Sequence, residues 1–150
     1  YNIARHINSE KKDFLKTTIP DLSYPGKFTW KKPENCTKAN KDYYKGKIIL
    51  LVNENTGSRG EYSTMCLQTA NNVTTIGSQT WGADGEFTRI EFIGGYTAGI
   101  SGTGIYYPDG TETQRIGVKV DVKIEPTIKG IREDKDEVLQ RGIDYIKNGY

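Results

Sequence analysis

Cysteine occurs only twice in this 150-residue chain, at Cys36 and Cys66. Two such residues make neither a disulfide framework nor a metal cluster, and both are expected to be free thiols, one in a loop-like stretch and one on an apolar helix face. Histidine occurs once, at His6. No apolar run approaches the roughly 18 residues that a membrane span needs. An initiator methionine and a signal peptide are also missing: the chain opens at Tyr1 and reads as a piece of a longer polypeptide, so no leader gives its compartment. Net charge is only +2, which argues neither for nucleic acid nor for a membrane surface as partner. Lysine is dense as far as Lys47, where Pro20, Pro25 and Pro33 interrupt it; this reads as a solvated irregular segment rather than a polyanion site.

What is present fits one domain. A length of 150 residues and a hydrophobic content of 35% suffice for a real core. The organising stretch is Gly46 to Ala70. Ile48, Ile49, Leu50, Leu51 and Val52 run without polar interruption, which reads as an inner strand covered on both faces and paired in parallel. Asn53 to Gly57 is a turn-forming loop. Tyr62, Met65, Cys66 and Ala70 then fall at helical spacing, predicting a crossover helix over 59–70. Val73 to Ile76 is the expected parallel neighbour.

Ser58 sits where strand gives way to helix, and it has two readings. Ser58-x-x-Glu61 is a capping box, worth about 1 kcal/mol. A serine between Gly57 and Gly60 on a loop after a buried strand is also a nucleophile pattern, with backbone N–H groups at the helix start placed to hold an oxyanion. The readings compete, because a hydroxyl that caps a helix is not free to attack.

On either side of this centre the patterns are plainer. Residues 2–16 read as the tail of a helix, and 17–45 as a long irregular, lid-like or surface-wrapping excursion with a short strand near 27–30. This divides the chain into a lead-in, 1–45, and a core, 46–148. Gly77 to Gly85 is a polar loop where the carboxyl end of a parallel strand should open, a common ligand location. Beyond Glu86 the pattern turns antiparallel: 87–92, a Gly94-Gly95 turn, a strand over 96–105, and a turn at Tyr106 to Gly110. Gly117 to Ile124 alternates and predicts a half-buried strand. Asp134 to Asn148 is an amphipathic helix with Val138, Leu139, Ile143 and Ile146 on one face and Gly149 just past its end.

In order and spacing these pieces resemble tail-specific, or carboxyl-terminal processing, serine peptidases, in the carboxyl-terminal part of their catalytic domain. The motifs are Ser58 with Glu61, Gly77 to Gly82, Pro108 to Gly110, Gly117 to Asp121 and the closing helix after Asp136. Gly57-Ser58-Arg59-Gly60-Glu61 and Thr80-Trp81-Gly82 look most similar to the tricorn-like branch. The resemblance implies an α/β fold of the Clp protease/crotonase-like kind, a mixed sheet with crossover helices, here as a partial domain.

It also implies acyl transfer on a polypeptide substrate without cofactor or metal, with homo-oligomerisation and an envelope location as family habits. Carried over by position, Ser58 is the nucleophile, the N–H of Arg59 an oxyanion donor, and Gly57, Gly60, Trp81 and Gly82 border the substrate. Gln114, with Glu112 two residues away, falls near a carboxylate that supports the catalytic network; a solvated strand end is the plainer reading. The base departs from the pattern. The lysine of one branch would fall near Ala83 or Asp84; alanine has no proton acceptor, and an aspartate of ordinary pKa is too weak a base for a serine hydroxyl. The histidine of the other branch lies farther upstream than His6, so the base is expected before Tyr1. A peptidase-like module that only binds extended chains, or an assembly domain, are the alternatives.

Overall fold

The computed structural model describes residues 2–36 and 38–149. Thr37, inside the polar run from 31 to 42, lies outside the described residues. Among the described residues, three sheets and four helices make a mixed α/β fold.

The parallel sheet follows the expected chemistry. The apolar run forms β4 (Ile48–Val52), α2 (Arg59–Leu67) crosses over, and β5 (Val73–Gly77) returns parallel to β4, with Leu50 opposite Thr75 and Val52 opposite Gly77. β4 is not an inner strand, however. The described sheet runs β4-β5-β9, with β9 at Val122–Lys123, so β4 lies on its edge and Leu51 is 43% exposed. One face of β4 is covered by α4 (Glu137–Asn148). Gly142 makes that approach possible: a Cβ there would stand 3.2 Å from Leu51 Cδ2. α4 begins as the sequence predicts, with the Asp136 carboxylate accepting from the N–H of Leu139 and Gly149 ending it at φ 84°.

The lead-in corrects the sequence reading most. Only Ala4–Ile7 (α1) is helical in 2–16, and Asp13–Pro20 form a strand, β1, rather than a helix tail or an irregular wrap. Phe14, Leu15, Thr17 and Thr18 are all buried, two pairs three residues apart. That spacing imitates a helical stripe; it arises because the strand is covered on both faces. β1 pairs with β2 (Phe28–Trp30), β3 (Glu34–Asn35) and, ninety residues on, β8 (Gly104–Tyr106). The main core lies between this sheet and α2: Phe14, Leu15, Cys36, Met65, Cys66, Ile105, Tyr107 and Val118, with the Phe14 and Tyr62 rings edge to face at 4.9 Å. Both cysteines are buried free thiols.

Two further expectations change. The strand predicted over 96–105 breaks at Gly102 into β7 (Thr97–Ser101), paired with β6 (Phe87–Glu91) in an exposed hairpin, and β8 in the main sheet. The alternating run 117–124 contributes to the sheet only as β9. Its earlier backbone N–H groups are claimed by side chains, Val118 N–H donating to Thr80 Oγ1 and Lys119 N–H to Tyr107 Oη, while the Asp121 carboxylate accepts from Thr75 N–H. A short helix, α3 (Ile128–Arg132), precedes α4. Among the described residues no helix is long and apolar enough to cross a membrane.

Candidate active site

The site is built where β4 ends. Thr56 N–H closes a turn onto the Asn53 carbonyl at 2.9 Å, and the Asn53 side chain accepts from Asn55 N–H, so the chain reverses before Gly57. Ser58 then takes φ 48° and ψ −114° before α2 begins at Arg59. A positive φ is disfavoured for any residue with a Cβ, so surrounding contacts must hold it, at a cost of about 1–3 kcal/mol.

Glu61 supplies those contacts. It is fully buried, and its carboxylate accepts four hydrogen bonds. Oε2 takes the N–H of Ser58 at 3.1 Å and of Ala83 at 3.0 Å; Oε1 takes the N–H of Gly82 at 2.6 Å and the Thr80 hydroxyl at 2.5 Å. Four donors and the N-terminal end of α2 satisfy an acid that could not otherwise sit in a core. Both partners of the capping box are therefore in place, but the half that meets hydrogen-bond geometry is the Glu61 carboxylate on the Ser58 backbone. The Ser58 hydroxyl makes no cap hydrogen bond, and the residue is exposed.

The glycine loop after β5 is fixed against the serine loop. Trp81 N–H donates to the Thr56 carbonyl, and its indole lies over Gly57, where a Cβ would come within 2.5 Å of Trp81 Cε3. Gly82 has φ 64°, and a Cβ there would meet the backbone nitrogens of Arg115 and Ile116 at 2.7 Å. Gly60 is looser, with Thr56 Cγ2 at 3.4 Å from a Cβ. The Arg59 N–H belongs to the first turn and has no acceptor within the helix; the Arg59 guanidinium stands 5.1 Å from the Tyr62 ring centroid.

Ser58 opens onto a cleft of about 260 Å³, lined with Arg59 and Tyr62 from α2, Thr17 from β1, Lys31 and Glu34, and the segment Asp84 to Glu86. Hollows of about 440 and 520 Å³ lie elsewhere, but neither holds Ser58. His6 is on α1 and does not line this cleft. Gln114 Nε2 donates to the carbonyls of Asp84 at 2.7 Å and Thr103 at 2.9 Å, so it fastens the back of the 82–85 loop. Glu112 is exposed in a single bridge to Tyr106.

Asp84 departs from the sequence expectation of an ordinary acid. It is 5% exposed; Oδ1 accepts from Gly85 N–H, and Oδ2 has no hydrogen-bond partner among the described residues. Burial pushes its pKa up to about 6, with the Glu61 charge adding to the rise and the Gly85 N–H and Arg59 opposing it. The Gly-flanked acid in Gly82-Ala83-Asp84-Gly85 was visible in the sequence; its burial was not. Thr17, Lys31 and Thr103 carry no local signal, since only the fold brings β1 and the turn before β8 to α2.

Comparison with known proteins bears on the family and the fold. The profile of peptidase family S41 matches residues 5–124. No curated protein matches the sequence. Among solved structures, a protein from Parabacteroides merdae described as a candidate peptidase superposes with a TM-score of 0.86 at 19% identity, covering 97% of this chain and 46% of its own. Mature CPAF complexed with lactacystin gives 0.62 at 22% identity, covering 79% of this chain and 26% of that one. The photosystem II D1 C-terminal processing protease gives 0.60 at 21%, with 83% and 30% covered. At these identities the likeness is one of fold, and this chain spans less than half the length of each structure. With four-fifths of its residues inside the family profile, the chain belongs to peptidase family S41.

Proposed function

We propose that this chain is the carboxyl-terminal part of a serine-type peptidase catalytic domain, that Ser58 is its nucleophile, and that its substrates are polypeptide tails. The observation that carries the reading is Ser58 itself: exposed at the mouth of a cleft, held at φ 48° by the Glu61 carboxylate on its own N–H, with its hydroxyl outside the capping hydrogen bond. A residue kept in an unfavourable conformation by a buried acid is costly unless its side chain has work in the cleft.

In this reading Ser58 Oγ attacks a peptide carbonyl while a base takes its proton. The developing oxyanion is met by the Arg59 N–H, and the acyl-enzyme is then hydrolysed. Gly57 and Gly82 bring the loops close, Trp81 closes one side, and Gly60 leaves room at the first turn of α2. The base is supplied by polypeptide outside this chain. The substrate class rests on likeness to the D1 C-terminal processing protease.

The test is fluorophosphonate labelling and cleavage of unstructured peptides by the full-length protein. Ser58→Ala should abolish both. Labelling that survives Ser58→Ala would overturn the assignment. Peptide binding without labelling in the unsubstituted protein would favour a non-catalytic binding module instead. The 150-residue chain alone should be nearly inert, since a missing base removes about 10²–10⁴ in rate and a missing oxyanion donor about 10²–10³.

A further inference from the structure

The hairpin of β6 and β7 stands apart from the rest of the fold. Among the described residues its strands pair only with each other, and every residue of both is exposed. A two-stranded sheet is marginal in water, and an open edge is a template for a further strand. Phe87 faces Ser101, Ile90 faces Ala98 and Glu91 faces Thr97, and the Phe92 N–H donates to the Tyr96 carbonyl at 2.8 Å. From these pairs, alternation sorts the side chains. One face carries Thr88, Ile90, Phe92, Tyr96, Ala98 and Ile100, of which the four large apolar residues are all open to solvent. The other carries Arg89 and Glu91, with the Phe87 ring lying over Gly99. The same alternation settles the backbone. Phe92 turns its N–H toward β7, so Ile90 and Thr88 do too, while Phe87, Arg89 and Glu91 turn their N–H and C=O groups outward to the free edge of β6.

We infer that this edge of β6 pairs with the same edge of a second copy of the chain, antiparallel, about a two-fold axis through Ile90. The sequence of the strand is self-complementary in that register. Centring the pair on Arg89 would oppose two arginines, and centring it on Glu91 would oppose two glutamates. Centring it on Ile90 sets Arg89 opposite Glu91 of the second copy, and Glu91 opposite its Arg89, as hydrogen-bonded pairs with Cα atoms about 5.5 Å apart. Both residues make no ion pair among the described residues, so each is available to the other. On the opposite face Ile90 packs on its own symmetry mate and Phe92 on Thr88 of the second copy. The product is a four-stranded sheet in the order β7-β6-β6-β7, the isologous contact that closes a dimer. The edge of β7 is a poorer template, since Thr97 to Ser101 carries no charge to fix a register and has Gly99 at its centre. The contact does not depend on the peptidase reading. It does bear on the cleft, because the residues at the roots of the hairpin, Glu86 and Thr103, line it, so one sheet would join the clefts of two copies.

The experiment is sedimentation velocity on the full-length protein over a concentration series, with charge exchanges at the two positions. The unsubstituted protein should sediment as a dimer that dissociates on dilution. Arg89→Glu alone and Glu91→Arg alone should each sediment as monomers, because each opposes like charges twice across the axis. Both positions are exposed, so the melting temperature of the two variants should stay close to that of the unsubstituted monomer. Mixing the two variants in equal amounts should bring the dimer back, since a strand acidic at both positions then meets one basic at both. The double exchange, Arg89→Glu with Glu91→Arg, should dimerise by itself. A monomer at every concentration would overturn the inference; that is the result expected if a strand from elsewhere in the same polypeptide covers β6. A dimer indifferent to both single exchanges would put the contact on another surface and overturn it as well. Monomeric single variants that their mixture fails to restore would refute the register, and the proposal with it.

Discussion

Replacing Glu61 by glutamine changes one atom and tests the whole arrangement. The carboxylate accepts from Ser58 and Ala83 N–H on one oxygen and from Gly82 N–H and the Thr80 hydroxyl on the other. A glutamine has one accepting oxygen. Turned one way, its NH₂ faces the N–H groups of Ser58 and Ala83 and strands both. Turned the other way it strands Gly82, while the Thr80 hydroxyl can rotate to accept. At least one buried donor is orphaned in either case, at about 1–3 kcal/mol, and the remaining bonds lose their charge assistance. The expected loss is about 3 kcal/mol, read from the urea midpoint at unchanged m-value. At best the Ser58 N–H then meets an uncharged amide oxygen, so the hold on its φ weakens and labelling in the full-length protein should fall with stability. A Glu61→Gln variant within about 0.5 kcal/mol of the unsubstituted protein, an ordinary surface effect, would refute the claim that this acid organises the site.

Two further expectations concern buried groups. In the isolated chain, the Asp84 pKa of about 6 lies above its unfolded value, so its contribution to stability is present below about pH 4 and is lost as pH rises through about 6. Asp84→Asn should therefore stabilise this chain at pH 7 by up to about 3 kcal/mol, with the advantage fading toward pH 4; a difference that stays flat across that range would contradict the assigned burial. Cys36 and Cys66, 3% and 4% exposed, should react with a thiol reagent only as fast as the core opens, and rapid modification in native buffer would contradict their placement.

What the sequence made legible was local. The run at 48–52, the spacing of Tyr62, Met65 and Cys66, the Gly94-Gly95 turn and the Asp136 cap each decide their own element within a few residues, and the parallel pairing of β4 with β5 follows from them. β1 was not legible, because Phe14-Leu15 and Thr17-Thr18 are buried by partners distant in sequence, and two-sided burial erases the alternation that marks a strand. β4 was misplaced to the interior for a related reason: an apolar run reports that neighbours cover it, not whether they are strands on both sides or a helix on one. At the site, Ser58, Glu61 and the 80–82 loop could be named from motif spacing. The cleft could not, since Thr17, Lys31 and Asp84 meet only after β1 has docked on α2.

The long reach of β1 also sets a timetable for folding. Lys16, Thr17 and Thr18 pair with Tyr106, Ile105 and Gly104, whereas Glu91 and Thr97 of the exposed hairpin pair across a short turn. Closing a loop of some ninety residues costs about 4 kcal/mol in chain entropy, against under about 2 for the hairpin. On a ribosome adding roughly 5–20 residues per second, β1 would wait on the order of ten seconds for β8 to be synthesised. During that interval β1 has β2 and β3 beside it, and α2, made before β8, can cover Phe14 and Leu15, but the edge at Lys16, Thr17 and Thr18 waits for β8. The nascent chain thus carries an open strand edge until β8 is made, and the cleft beside Ser58, which Thr103 and Ile105 line, can close around its contents only after that strand has arrived.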